Sequence, residues 1–110
     1  MFHMLTCFNL KPGVEIEAFR DAFVGFVDHM RSIGLVERAG AIGKRQRDTI
    51  MDTDDERDHE YFVVMSFLDR AQSDAAIELM LKHEEPSESA HKGVYSRAKD
   101  MVFICWQDIV

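Results

Sequence analysis

The sequence predicts an α+β fold of the ferredoxin-like kind, a single domain over residues 1–110 with the element order β-α-β-β-α-β. Three observations carry this. Phe2–Leu10 reads as a strand, Lys11-Pro12-Gly13 breaks it, and Val14–Ile33 then reads as one amphipathic helix. Two further apolar runs rich in aromatic and β-branched residues, Tyr61–Leu68 and Met101–Gln107, read as strands. A second helical stretch lies between them, which completes a four-stranded antiparallel sheet with its helices on one face.

Taken in order, the first strand divides by alternation into His3, Leu5, Cys7 and Asn9 on one face and Phe2, Met4, Thr6, Phe8 and Leu10 on the other. The first helix repeats apolar residues at helical spacing: Ile16, Phe19, Phe23, Phe26, Val27, Met30 and Ile33. Val24 lies off that face, as a lone exposed apolar residue or a partner contact. Gly34 is the C-terminal stop. The second strand is expected over about Ala41–Ile50, with Gly40 and Gly43 permitting a bend. Asp52–Glu60 has no apolar residue and reads as a solvated loop, His59 included. Asp69 or Ser73 caps the next helix, whose inner face is Ala75, Ala76, Leu79 and Met80. Pro86 interrupts it, and a further piece over about Ser87–Arg97 turns Ala90, Val94 and Tyr95 inward.

Strands one, three and four are apolar on both faces, whereas the helices can cover only one. The uncovered face would exceed the few hundred Å² that a soluble monomer usually exposes. The chain is therefore expected to form a homodimer with two sheets packed face to face, a dimeric α+β barrel.

A net charge of -7 argues against a nucleic-acid partner and against an anionic membrane surface. No apolar run has the length of a membrane span, and the N-terminus lacks a basic n-region, so the protein is expected to be cytoplasmic. The two cysteines, Cys7 and Cys105, both lie in apolar strands. Free thiols are favoured, with a disulfide left open.

The opening His3-Met4-Leu5-Thr6-Cys7-Phe8-Asn9-Leu10-Lys11-Pro12-Gly13-Val14 resembles the start of the stress-responsive A/B barrel proteins. Those begin with a histidine-bearing strand, then a short turn often containing lysine, then a helix. The whole element order resembles the wider dimeric α+β barrel superfamily, which includes antibiotic-biosynthesis monooxygenases and small polyketide cyclases. The resemblance implies a pocket inside each subunit, between sheet and helices. In different members that pocket serves cofactor-free proton transfer, oxygen chemistry or haem binding.

Among candidate catalytic residues, His3 comes first, as a titratable group on a mostly apolar strand face; a hydrogen-bonded structural histidine is the plain alternative. His91 and Tyr95, four apart, would share a helical face and with His83 could rim a pocket; a surface histidine beside a core tyrosine is the alternative there. Candidate ligand-binding residues are Arg45 and Arg47, which could hold a carboxylate or phosphate, with Tyr61 and Trp106 lining a pocket. The arginines could equally pair with acids of Asp52–Glu60, and strand aromatics are usually core. No histidine or cysteine spacing suits a metal, no nucleotide-binding glycine motif occurs, and no tightly held cofactor is expected. Of three competing readings, the first, which the resemblance implies, is a small cofactor-independent enzyme, monooxygenase- or cyclase-like, acting on a hydrophobic small molecule. His3 would be its acid or base, Tyr95 or His91 would assist, and Trp106 would pack the substrate. The alternatives are a noncatalytic dimeric module that binds a small molecule or a protein, and a haem-binding member with His91 or His83 as axial ligand.

Overall fold

In the computed structural model, which describes residues 1–110, the strand that opens the chain lies inside the sheet. β1 (Phe2–Leu10) pairs antiparallel with β4 (Tyr61–Phe67) on one side and with β5 (Ala98–Gln107) on the other. α1 (Ile16–Ser32) links β1 to β2 (Arg38–Ala39) and β3 (Gly43–Lys44), both of which pair with β4. α2 (Arg70–Lys82) and α3 (Ser87–Tyr95) lead from β4 to β5. The sheet order is β2-β4-β1-β5, with β3 continuing the β2 edge along β4. Five strands thus fill four positions, and the fold is α+β and ferredoxin-like.

The second strand departs from the sequence reading. It begins at Arg38 rather than Ala41, and it stops at Lys44. Its two pieces differ in register by one residue: Ala39 is partner to Met65, whereas Gly43 is partner to Phe62. One extra residue at 40–42 is therefore absorbed as a bulge. The Gly40 N–H still donates to the Val64 carbonyl at 2.9 Å, and the Arg45 N–H donates to Glu60, so the edge stays tied. Residues 46–50 are too polar to hold a strand face against the sheet, and they leave it as a loop.

The phenylalanines define the helix-facing side. Phe8 lies on Phe19 of α1 with ring centroids 4.6 Å apart. Alternation then turns Phe2, Met4 and Thr6 of β1, and Val63, Met65 and Phe67 of β4, toward the helices. Phe8 and Met30 are fully buried at the centre of this core, where burying each such side chain is worth about 1.5–3 kcal/mol. α1 contributes Phe19, Phe23, Phe26, Val27 and Met30, as its spacing predicts. Ile33 does not join them. It is the residue at which the helix ends, it is 45 % exposed, and Gly34 at φ 75° turns the chain away. Asp69 caps α2, its Oδ1 accepting the Gln72 N–H at 2.8 Å, while Ala75 faces solvent and Ser73 and Ala76 face inward.

The opposite sheet face carries His3, Leu5 and Cys7 of β1, Phe62, Val64 and Ser66 of β4, and Val102, Ile104 and Trp106 of β5. It is covered at its Cys7 end, and at the other end Ser66 is buried beside His3, which leaves the β5 row exposed. Cys7 is 1 % exposed, and Arg57, Asp54 and Arg45 of the loop after β3 come close enough for their charges to act on its thiol. Burial raises that thiol's pKa above the usual range. Val102, Ile104 and Trp106 stay 37 %, 40 % and 42 % exposed. Cys105 is partner to Met4 and so lies on the helix side, opposite Cys7; both thiols are free. No helix is long and apolar enough to cross a membrane.

Candidate ligand cleft

α1 leans on the edge of the sheet formed by β2 and β3 without closing on it, because the residues there are small: Ala39, Gly40 and Ala41. The gap is a cleft of about 570 Å³, within the range of small-molecule sites. Ile16, Phe23, Val27, Ile42 and Tyr61 give it an apolar interior. Val24, the residue off the main helix face, lies at its mouth. Arg20, Arg31, Arg38 and Lys44 give it a cationic rim, with Asp28 the one carboxylate.

Of the residues singled out from sequence, Tyr61 lies in this cleft. Arg45 and Arg47 do not; they are engaged within the protein. Arg45 forms a two-pronged pair with Asp52, Nε to Oδ2 and Nη2 to Oδ1, each at 2.8 Å. It also donates to the backbone carbonyls of Asp54 and Arg57. The Arg45 guanidinium holds the Asp52 carboxyl below the usual carboxylate range. Arg47 pairs with Asp58 at 2.9 Å. One guanidinium thus gathers the acidic loop over the sheet. His59 corrects the expectation of a solvated side chain: it is 7 % exposed, with Nε2 at 2.6 Å from the Asp100 carbonyl, which accepts its hydrogen.

His3 and Trp106 meet on the free sheet face, their rings 5.2 Å apart. His3 Nδ1 is 2.7 Å from Ser66 Oγ and Nε2 is 2.8 Å from Asp108 Oδ1. The terminal amine of Met1 and then His3 hold the Asp108 carboxyl low. The hydroxyl–imidazole–carboxylate row has the residue types of a hydrolytic triad. However, Ser66 sits inside β4 with strands on both sides, so no free backbone N–H stands ready to bind an oxyanion.

His91 and Tyr95 also meet, on α3, with rings 4.9 Å apart in an edge contact, and His91 lies 5.3 Å from Phe26 of α1. This burial lowers the His91 pKa, against the opposing pull of Glu88. Tyr95 donates to Glu88 Oε1 at 3.1 Å, and His83 Nδ1 lies 2.9 Å from the other carboxylate oxygen. The three groups stand apart: His3 with Trp106 on one sheet face, the cleft with Tyr61 between α1 and the sheet edge, and His91 with Tyr95 and His83 around α3. Sequence reading missed Ser66, Asp108 and the cleft's arginines. For the last the available signal was Arg20, Val24 and Arg31, which recur at helical spacing beside the apolar face.

The element order and sheet topology define a chain of the ferredoxin-like α+β class in architecture. Three solved structures make the likeness concrete. The crystal structure of At3g17210 from Arabidopsis thaliana superposes with a TM-score of 0.72 at 10 % identity, covering 100 % of this chain and 97 % of that one. A dimeric ferredoxin-like protein of unknown function from Jannaschia sp. CCS1 gives 0.64 at 12 % identity, over 97 % and 98 % of the two chains. An antibiotic biosynthesis monooxygenase gives 0.60 at 15 % identity, over 100 % of each. No protein-family model and no curated protein matches the sequence.

Proposed function

We propose that the protein is a homodimer, sheet face on sheet face, that binds a hydrophobic small molecule in the cleft between α1 and the β2–β3 edge of each subunit. The observation that carries the reading is the cleft itself: about 570 Å³ with an apolar interior. The exposed row Val102, Ile104 and Trp106 supports the sheet contact, as do the solved neighbours described as dimeric. In its catalytic form the reading is a monooxygenase- or cyclase-like conversion without a tightly held cofactor. Asp28 and Tyr61 are the proton-transfer groups that line the cleft.

A second reading rests on His3. An imidazole oriented by Asp108, beside Ser66 and Trp106, could serve as acid or base for a ligand lying against the sheet face. The sole tryptophan separates the two readings. A panel of apolar fluorescent ligands is titrated while Trp106 emission is followed. Binding in the cleft leaves that emission unchanged and is lost in Val24→Trp after allowance for the added indole. A Trp106 shift that disappears in His3→Ala supports the second reading instead.

A further inference from the structure

The cleft has a charge pattern that a merely hydrophobic ligand leaves unused. The chain is acidic, with 20 carboxylates against 13 cations, yet four cations and one carboxylate line this opening. Four of the 13 cations, Arg45, Arg47, Arg57 and Arg70, are paired with aspartates; Arg20, Arg31, Arg38 and Lys44 are among the nine paired with no carboxylate, and they are the ones that share a cleft.

Register sorts the four into two ends. Lys44 is partner to Tyr61, Tyr61 to Phe8, and Phe8 lies on Phe19, the neighbour of Arg20. At the other end Arg38 is partner to Ser66, and the chain leaving α1 just beyond Arg31 bonds back through the Leu35 N–H to Met30 and the Glu37 N–H to Ser66. Arg20 and Arg31, three turns apart, are separated by about 16 Å along the axis. Val24, Val27 and Ile42 lie between. Asp28, one turn before Arg31, offsets the charge at that end. At the Arg20–Lys44 end no carboxylate lines the cleft; Glu17, one turn before Arg20, lies outside the lining.

We propose that the ligand is an elongated amphipathic carboxylate, its acid group held between Arg20 and Lys44 and its apolar body running along Val24, Val27 and Ile42 toward Arg38. This rests on the small-molecule reading of the same cleft. Guanidinium and ammonium donors match a carboxylate through charge-assisted hydrogen bonds, and a local positive field on an acidic protein draws an anion to this opening. The apolar body gains by leaving water.

The test is calorimetric titration of decanoate, 1-decanol and decyltrimethylammonium, below their micelle concentrations. The proteins are the unaltered chain, R20Q/K44Q, R31Q/R38Q and V24W, each with an unchanged circular dichroism spectrum. Decanoate is expected to bind the unaltered protein, to bind R20Q/K44Q about tenfold or more weakly, to bind R31Q/R38Q nearly as before, and to be excluded by V24W. If 1-decanol binds as tightly as decanoate, is indifferent to R20Q/K44Q and is excluded by V24W, the carboxylate assignment falls and the small-molecule reading stands. A larger loss in R31Q/R38Q than in R20Q/K44Q overturns the placement of the acid group. Decanoate affinity untouched by V24W, or no binding by any probe, overturns both readings.

Discussion

At the scale of single residues, Arg45 shows how one side chain can organise a segment with no apolar content. Its guanidinium takes both oxygens of Asp52 and two loop carbonyls, and the loop so gathered covers Cys7. Arg45→Ala should release residues 46–58, with amide exchange there rising severalfold by mass spectrometry while β1 and β4 keep their protection. The pairing of Arg45 with the acids just beyond it was legible in the sequence, because opposite charges a few residues apart find each other locally. The burial of His59 was not, because its partner is the Asp100 carbonyl, 41 positions away. Met30 makes the opposite point. Its place on the apolar stripe of α1 was plain, and Met30→Ala should cost about 2–5 kcal/mol in urea unfolding. His91 adds a pH dependence. Burial lowers its folded pKa, so the unfolded chain binds the proton more readily. Its contribution to stability is complete above the unfolded value of about 6.5 and is lost as pH falls through the folded one. His91→Phe should flatten the stability profile between pH 7 and 5.

At the scale of elements, what was legible depended on how much apolar surface each element buries. β1, β4 and α1 are marked by long apolar runs or a 3.6-residue stripe and fall within two residues of where the spacing puts them, while β5, expected from Met101, begins three residues earlier at Ala98, where the polar residues Lys99 and Asp100 hide its start. The edge segment 38–44 is made of Arg, Ala, Gly, Ile and Lys, so its pattern carries little information; its bounds and its bulge come from the pairing with β4. The cleft shares that obscurity, since it is the gap left where small residues of this edge face α1. The α2 cap was legible in part: residue type offered Asp69 or Ser73, and the Gln72 N–H bond decides for Asp69 while Ser73 lies inside the helix. Asp69→Ala should lower stability by about 1 kcal/mol and should fray the first turn of α2 in amide exchange.

At the scale of the molecule, the two-sided strands that pointed to a partner keep one face of the sheet open, with β5 as its most exposed row. If the proposed face-to-face homodimer holds, Ile104→Asp, which leaves the helix-side core intact, should shift the mass measured by light scattering from two chains to one. Stability of the whole fold also carries an acid limb. The Asp108 carboxyl, held low by the Met1 amine and then by His3, contributes stability that is complete above the ordinary value of about 3.9 and is lost as pH falls through its folded value. In Asp108→Asn that part of the decline should vanish from urea titrations between pH 5 and 2. The two margins of the sheet are unlike. One is two short pieces offset by a bulge; the other is the ten residues of β5, which carry a register shift of their own near Asp100 (φ 57°) and then run unbroken from Val102 to Gln107. A strand added from outside finds its longest unbroken row of hydrogen-bonding partners along Val102–Gln107. Were two molecules to join along that edge, each would offer a third only the short, bulged β2–β3 margin, a poor template for edge-to-edge growth.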